Sequence, residues 1–162
     1  MTNQDLCEAF VRGETSGVCG NLFIDGNKLY SYGKHYVLCE RVKLDKGGIF
    51  FVINDTYYSA TTRKHQAYIR REVCSAGKDF LEILDCNYSK EFLICLLSNL
   101  STEISKKEKT FARTKNAVTG KRLERLKNER SELEGSFEKL YGSNTYHYMC
   151  QLDNLADQNK GV

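Results

Sequence analysis

The sequence predicts an α+β protein, with a small N-terminal antiparallel β-sheet, one helix packed on it, and a C-terminal helical hairpin of coiled-coil-like character. Short runs of β-branched and aromatic residues between glycine turns predict the sheet. From Ser89 onward, apolar residues recur at the three-and-four spacing of a helix. The 162 residues are 41% hydrophobic and 28% charged, as expected of a folded chain. We expect three segments: an α+β domain at 1–78, a basic helical hairpin at 79–142 and a tail at 143–162.

The predicted sheet is a meander of about four or five short strands. Asp25-Gly26 is a two-residue signal for a tight hairpin, and 45–48 supply a second turn. The runs between these turns are typical of strands. They are Val18–Ile24, Lys28–Tyr32, Tyr36–Val42 and Ile49–Ile53.

One helix is predicted to follow the sheet. It should begin at Thr61 or Thr62, since either hydroxyl can accept a hydrogen bond from the amides of the first turn. Gly77 is placed to end it in the left-handed conformation. The face packed on the sheet is predicted to hold Gln66, Ile69 and Val73. A neighbouring stripe is formed by His65, Tyr68 and Glu72.

The spacing of apolar residues in the C-terminal segment predicts two helices. Ser89 is placed to cap the first, and a hairpin that bends near Ala117–Gly120 would bury the apolar stripes within one chain. The alternative is one long helix that pairs with a second copy through Leu123–Leu140. In the tail, 146–150 are predicted to add an edge strand or to pack on the helices. The two apolar stripes are Phe92, Leu93, Leu96, Leu97, Leu100 and Ile104, and then Leu123, Leu126, Leu133, Phe137 and Leu140.

Several classes of protein are disfavoured. The longest apolar run, Phe92–Leu97, is too short to span a bilayer, and the first residues lack the pattern of a secretory signal, so we expect a cytoplasmic protein. The 7 cysteines, an odd number at irregular positions, argue against a disulfide framework. Phosphate-binding, dinucleotide-binding, hydrolase and zinc-protease motifs are missing, and we predict no metal and no cofactor.

Two segments, 29–35 and 57–65, each combine tyrosines, a hydroxyl and a cation directly before a histidine. Histidines can exchange protons near neutral pH, and a lysine can neutralise a phosphate. His35, His65 and Lys64 are therefore the candidate catalytic residues of a metal-independent ribonuclease. The alternative is that both histidines are hydrogen-bonded structural residues.

The same segments also suit a binding surface, because tyrosine rings beside cations can stack on nucleobases or form a protein interface. A second candidate surface is the stretch from Lys106 to Arg130, with 10 lysines or arginines against 3 acids, in a chain whose net charge is only +3. Such a density can follow a phosphate backbone, although a solvated helix face is the usual fate of a charged run. The candidate binding residues are Tyr30, Tyr32, Tyr58, Arg63, Lys121, Arg122 and Arg125.

Residues 20–36 and 58–66, which include Leu-Tyr-Ser-Tyr-Gly-Lys-His and Tyr-Ser-Ala-Thr-Thr-Arg-Lys-His-Gln, resemble a small uncharacterised domain of bacteriophages and other mobile elements. That domain typically shows LYSYG-x-HF-P and then YS-x-TT-x-x-HQ. The resemblance covers about residues 17–75, and this chain has Tyr36-Val37 where Phe-Pro is common. It implies a phage origin and brings no established activity.

The resemblance and the basic segment together favour a phage-derived binding protein that acts on nucleic acid or on a nucleic-acid-handling host defence complex, with an anti-CRISPR inhibitor as the specific form. Its expected partners are a host nucleoprotein effector or RNA and DNA, and not a membrane. The alternatives are the ribonuclease described above and a structural protein that forms a homodimer through its C-terminal helices.

Overall fold

The computed structural model describes residues 1–142, which divide into a unit at Met1–Tyr88 and a second that begins at Ser89. The first unit contains a six-stranded sheet with two helices, and the second contains a helical hairpin. The α+β class predicted from the sequence is therefore confirmed. The tail at 143–162, including the strand or packing segment expected at 146–150, lies outside the described residues.

The sheet has its strands in sequence order, from β1 to β6. The first five pair antiparallel, as the predicted meander requires, and β6 pairs parallel to β5. The strands are β1 (Ser16–Cys19), β2 (Leu22–Asp25), β3 (Lys28–Ser31), β4 (Val37–Lys43), β5 (Ile49–Asn54) and β6 (Phe80–Ile83).

The single strand predicted at Val18–Ile24 is wrong, because the chain reverses at Gly20-Asn21 and forms β1 and β2 instead. Gly20 has φ 56°, a left-handed conformation that glycine adopts without a steric penalty. The next turn also begins with a left-handed glycine, Gly26, and brings Asp25 opposite Lys28. Both turns are two-residue hairpin loops.

An N-terminal helix, a sixth strand and a short 3₁₀ helix at Leu84–Cys86 of the first unit were not predicted. Helix α1 (Asn3–Arg12) begins with a capping box, in which the Thr2 hydroxyl accepts from the Asp5 amide and the Asp5 carboxylate accepts from the Thr2 amide. Strand β6 pairs with β5 and so continues the sheet. The first unit therefore extends beyond residue 78, where we expected the first domain to end. The residues of α1 that face the core are Leu6, Cys7, Phe10 and Val11.

Helix α2 (Ala60–Ser75) begins slightly earlier than predicted. Ser59, rather than Thr61 or Thr62, is the N-cap, and its hydroxyl accepts from the amide of Thr62 at 3.1 Å. At the other end Gly77 has φ 62°, which is the predicted left-handed ending. The predicted inner face is confirmed, since Gln66, Ile69 and Val73 are all buried.

The core of the first unit lies between one face of the sheet and the helices α1 and α2. A charged residue, Arg41 of β4, is buried in it at 8% relative exposure. Its guanidinium donates to the carbonyls of Phe10 at 3.2 Å, Glu14 at 2.9 Å and Gly26 at 2.6 Å, and lies 4.5 Å from the centre of the Phe10 ring. It therefore binds the end of α1 and the β2–β3 turn to the sheet.

The second unit is the helical hairpin that the sequence predicted, formed by α3 (Lys90–Thr114) and α4 (Ala117–Tyr141). The turn lies at Lys115-Asn116, just before the predicted bend. Ile104 of α3 packs with Leu123 and Leu126 of α4. Gly120 lies so close to Phe111 that a Cβ there would be 3.0 Å from the ring.

We expect Arg41→Met to lower the free energy of unfolding by about 2–4 kcal/mol, because it leaves buried carbonyls without their charged donor. Urea unfolding at neutral pH measures this. Arg71→Met is the matched control, since the Arg71 side chain is 65% exposed, and it should change the free energy by less than about 0.5 kcal/mol. Equal unfolding midpoints for the two variants would contradict the structural role of Arg41.

Candidate binding surfaces

The two tyrosine–histidine segments of the sequence meet in the structure. Because β4 runs antiparallel to β5, the loop before β4 lies beside the loop after β5. The Asn54 side-chain amide donates to the Val37 carbonyl at 2.8 Å, and the Tyr36 hydroxyl donates to the Thr56 carbonyl at 2.7 Å. The β3–β4 loop (32–36) and the β5–α2 loop (55–59) therefore form one end of the sheet.

Gln66 of α2 joins these loops to the helix. Its buried side-chain amide nitrogen lies 2.6 Å from the Asn54 carbonyl, 3.0 Å from the Thr56 carbonyl and 3.1 Å from the Tyr36 hydroxyl. Its carbonyl oxygen accepts from Arg63 at 3.2 Å. Burial raises the pKa of Tyr36 to about 12, so this tyrosine stays neutral and serves the fold.

Beyond this network lies a group of exposed side chains, which we call the tyrosine surface: Tyr32, His35, Tyr57, Tyr58 and Lys64. The Tyr58 ring lies 6.2 Å from the His35 ring and 5.6 Å from the Tyr36 ring, between centroids. Tyr30, predicted as part of a binding surface, is instead half-buried in β3 and stacks on Phe23 at 4.9 Å.

His65, in contrast, is sealed inside the first unit at 2% relative exposure. Its Nε2 lies 3.2 Å from the side-chain nitrogen of Asn3, and its Nδ1 lies 2.9 Å from the Ser31 hydroxyl. Since the amide nitrogen of Asn3 can only donate, Nε2 accepts and Nδ1 carries the proton, which it donates to Ser31. Burial lowers the pKa of His65, so the neutral ring is favoured.

The candidate catalytic residues therefore lie in different surroundings. His35 is exposed beside Tyr58, whereas His65 contacts Asn3, Ser31 and the Tyr32 ring. Among residues 1–142, no hydrogen bond or ring contact joins His35 to His65. Lys64 is exposed and forms no ion pair within 4.0 Å with any residue that the structure describes.

The stripe predicted at His65, Tyr68 and Glu72 is the contact between α2 and α1. The Gln4 side-chain amide donates to Glu72 at 3.1 Å, as Asn3 does to His65. Sequence reasoning missed Asn3, Gln4 and Ser31 as partners of these residues. The capping box at Thr2 and the apolar spacing at Leu6 and Phe10 were the signals that could have revealed α1.

The second candidate surface flanks the α3–α4 turn, and we call it the basic hairpin surface. Of its residues, only Arg122 forms an ion pair within the described part of the chain, at 3.4 Å from Glu103. Lys127 and Arg130, farther from the turn, are neutralised by Glu108 and Glu134. The basic hairpin surface consists of Lys106, Lys107, Lys109, Arg113, Lys115, Lys121, Arg122 and Arg125, all exposed except the half-buried Lys107.

Three of the described cysteines behave as small apolar residues. Cys7, Cys39 and Cys86 are buried, burial raises the pKa of each, and all six cysteines of residues 1–142 are free thiols. In the same residues, no group of three or more histidine, cysteine or acidic side chains could hold a metal ion. None of the described helices has an apolar stretch long enough to cross a bilayer.

Comparison of the chain with family models, curated proteins and solved structures found no match to any of them.

The low pKa of His65 makes the stability depend on pH. The ordinary pKa of histidine is 6.5, and burial lowers that of His65 in the folded protein. As the pH falls below 6.5, His65 is therefore protonated in the unfolded chain while it stays neutral in the folded protein. The free energy of unfolding should be highest above pH 6.5 and should fall as the pH is lowered toward the folded pKa. Urea unfolding of the wild type between about pH 7 and 5 measures this.

His65→Gln should remove this part of the pH dependence, whereas His35→Gln, which changes an exposed histidine, should retain it. An unaltered slope in His65→Gln would show that another group causes the decline.

Proposed function

We propose that this protein is a phage-derived binding protein that acts on nucleic acid, or on a host defence complex that carries nucleic acid, through the basic hairpin surface. The observation that carries the proposal is that seven of the eight cations beside the α3–α4 turn form no ion pair with a described carboxylate. Unpaired exposed charges repel one another, and an external polyanion relieves that repulsion.

A phosphate backbone is the polyanion that suits such a surface best. Lysines and arginines that contact phosphates release condensed counterions, and this gives affinity without requiring a shaped pocket. The basic residues lie on the last turns of α3 and the first turns of α4, with Lys115 in the connection. The turn end of a hairpin can place cations against RNA or DNA in this way.

The ribonuclease alternative has less support. A general acid or base must exchange its proton with a substrate. Both ring nitrogens of His65 are occupied by Asn3 and Ser31, and the buried ring favours the neutral form. Among the described residues, no contact brings the exposed His35 to this ring.

The dimer alternative also loses its motivation. In that alternative the apolar stripe of α4 would pair with a second copy, yet Leu123 and Leu126 pack with Ile104 of α3 in the same chain. Leu133 and Phe137 are at most 8% exposed. These four residues of the stripe are therefore already covered within the chain.

The anti-CRISPR form of the proposal is supported by the resemblance to a phage domain and by the chemistry of the target. An effector bound to its guide RNA presents phosphates and a positively charged channel, and an inhibitor with exposed cations can compete for the phosphates.

Neutralising three cations should test the basic hairpin surface. We expect the variant Lys121→Gln, Arg122→Gln, Arg125→Gln to bind a labelled oligonucleotide at least about tenfold more weakly at low salt. The slope of log K against log salt should also become shallower by about 2, the contribution of three phosphate contacts to a single strand. Fluorescence anisotropy over a salt series measures both.

The matched control is Lys43→Gln, Lys46→Gln, Lys78→Gln, which removes the same charge from exposed lysines of the first unit. It should retain most of the affinity and the slope. If the two triple variants behave alike, net charge rather than the hairpin governs binding.

The host-defence part has a separate test in cells. A bacterial strain with an active CRISPR system should lose protection against a targeted phage when it expresses the wild-type protein, but not when it expresses the hairpin variant. Plating efficiency is the measurement. Unchanged protection across strains with different CRISPR types would contradict an anti-CRISPR role and leave nucleic-acid binding to be judged by anisotropy.

A further inference from the structure

The tyrosine surface exposes rings that the fold does not bury. Tyr57 is 68% exposed, Tyr58 is 58% exposed and Tyr32 is 43% exposed. They differ from Tyr36, which lies in the same pair of loops but is 6% exposed and hydrogen-bonded to Thr56 and Gln66. The structural role of this region is therefore filled by Tyr36, while its neighbours leave ring area in contact with solvent.

The exposed ring of Tyr58 is held in place rather than free. Tyr58 rests against the His35 ring at an interplanar angle of 58° and against the Tyr36 ring at 44°. Tyr36 is in turn fixed by its hydrogen bonds to the β5–α2 loop and to α2. A ring that is already positioned loses little conformational entropy when a ligand covers it.

The backbone conformation of Tyr32 also supports a binding role for the exposed rings. This residue has φ 64°, in the left-handed region where a side chain costs about 1–2 kcal/mol relative to glycine. The Tyr32 ring, 6.2 Å from that of His65, remains 43% exposed. A strained backbone that presents an exposed ring suggests a use for that ring.

The charges beside the rings favour a phosphate-bearing ligand. Arg63 is neutralised by Asp55 at 3.0 Å, and Lys34 by Asp25 at 2.6 Å, but Lys64 forms no ion pair with a described residue. The exposed large apolar side chains of these two loops are all tyrosines, so the surface offers flat rings without an aliphatic rim. Rings beside an unpaired cation suit a nucleobase with its phosphate.

We propose that the tyrosine surface binds unpaired nucleobases, of which one stacks on Tyr58 and another on Tyr32, while Lys64 contacts a neighbouring phosphate. The nucleic acid that this protein binds is then single-stranded, or contains a single-stranded segment, since the bases of a duplex are stacked on one another. This inference rests on the proposed function, in which the basic hairpin surface supplies contacts that do not depend on bases.

Three labelled probes separate the two contributions: a single strand of about 16 nucleotides, the corresponding duplex, and an abasic strand of the same length. In anisotropy titrations, Tyr58→Ala should weaken binding of the base-containing single strand by about 5- to 150-fold, the effect of losing one base stack. It should leave the affinity for the duplex, the affinity for the abasic strand and the salt dependence of binding unchanged.

Matched variants make the result specific. Tyr58→Phe keeps the ring and should bind like the wild type, and Tyr141→Ala, which removes an exposed tyrosine of α4, should do the same. Tyr32→Gly should weaken binding of the single strand without lowering the urea midpoint, because glycine relieves the left-handed conformation. This variant also tests the proposal if Tyr58→Ala proves unstable.

The failures are distinguishable. If Tyr58→Ala and Tyr32→Gly bind the single strand as the wild type does while the hairpin variant does not, the base-stacking proposal is overturned and the proposed function stands. Equal losses on all three probes would also overturn it, since the tyrosines would then act on the phosphate backbone or on the fold rather than on bases. If the wild type binds none of the probes at low salt, both proposals fail.

Discussion

The side chain of Gln66 is the contact on which the arrangement of the first unit's exposed end depends. One buried amide reaches two backbone carbonyls, one in the last residue of β5 and one just after the strand, and the hydroxyl of Tyr36 before β4. If this buried amide lost its partners, the folded state would be destabilised by about the free energy of the hydrogen bonds that the amide had formed. The contact therefore stabilises the helix, the end of the sheet and the two loops together. The exposed tyrosines take their positions from this framework and contribute little to it.

Much of the fold follows from local patterns in the sequence. The meander follows from short β-type runs between turn residues. The inner face of α2 and the helical hairpin follow from apolar residues at helical spacing, which each segment shows by itself. The split between β1 and β2 was missed because β-type residues lie on both sides of Gly20-Asn21 and resemble one continuous strand. Glycine followed by asparagine is nevertheless a turn signal. Strand β6 was missed because four residues carry little periodicity, and its place is set by pairing with β5.

The candidate site could be predicted only in part. The two motif segments meet, although the sequence alone did not show that they would, and no local pattern shows which side chains become buried. His65 and His35 occupy similar sequence contexts, yet one is sealed by Asn3 and Ser31 and the other lies in solvent. That difference is created by α1, which lies more than sixty residues away in the chain from its contact with α2. The hairpin cations, in contrast, were visible in the sequence because their density needs no tertiary contact.

The order of the strands bears on how the first unit assembles. Each antiparallel pair joins consecutive strands through a short loop, so these pairings form over small separations along the chain, which is entropically inexpensive. Among the described strands, β6 is the exception, because the whole of α2 intervenes between it and β5. The chain therefore reaches the last place in the sheet only through a connection that contains α2, and the pairing of β6 with β5 joins that edge of the sheet to the helix.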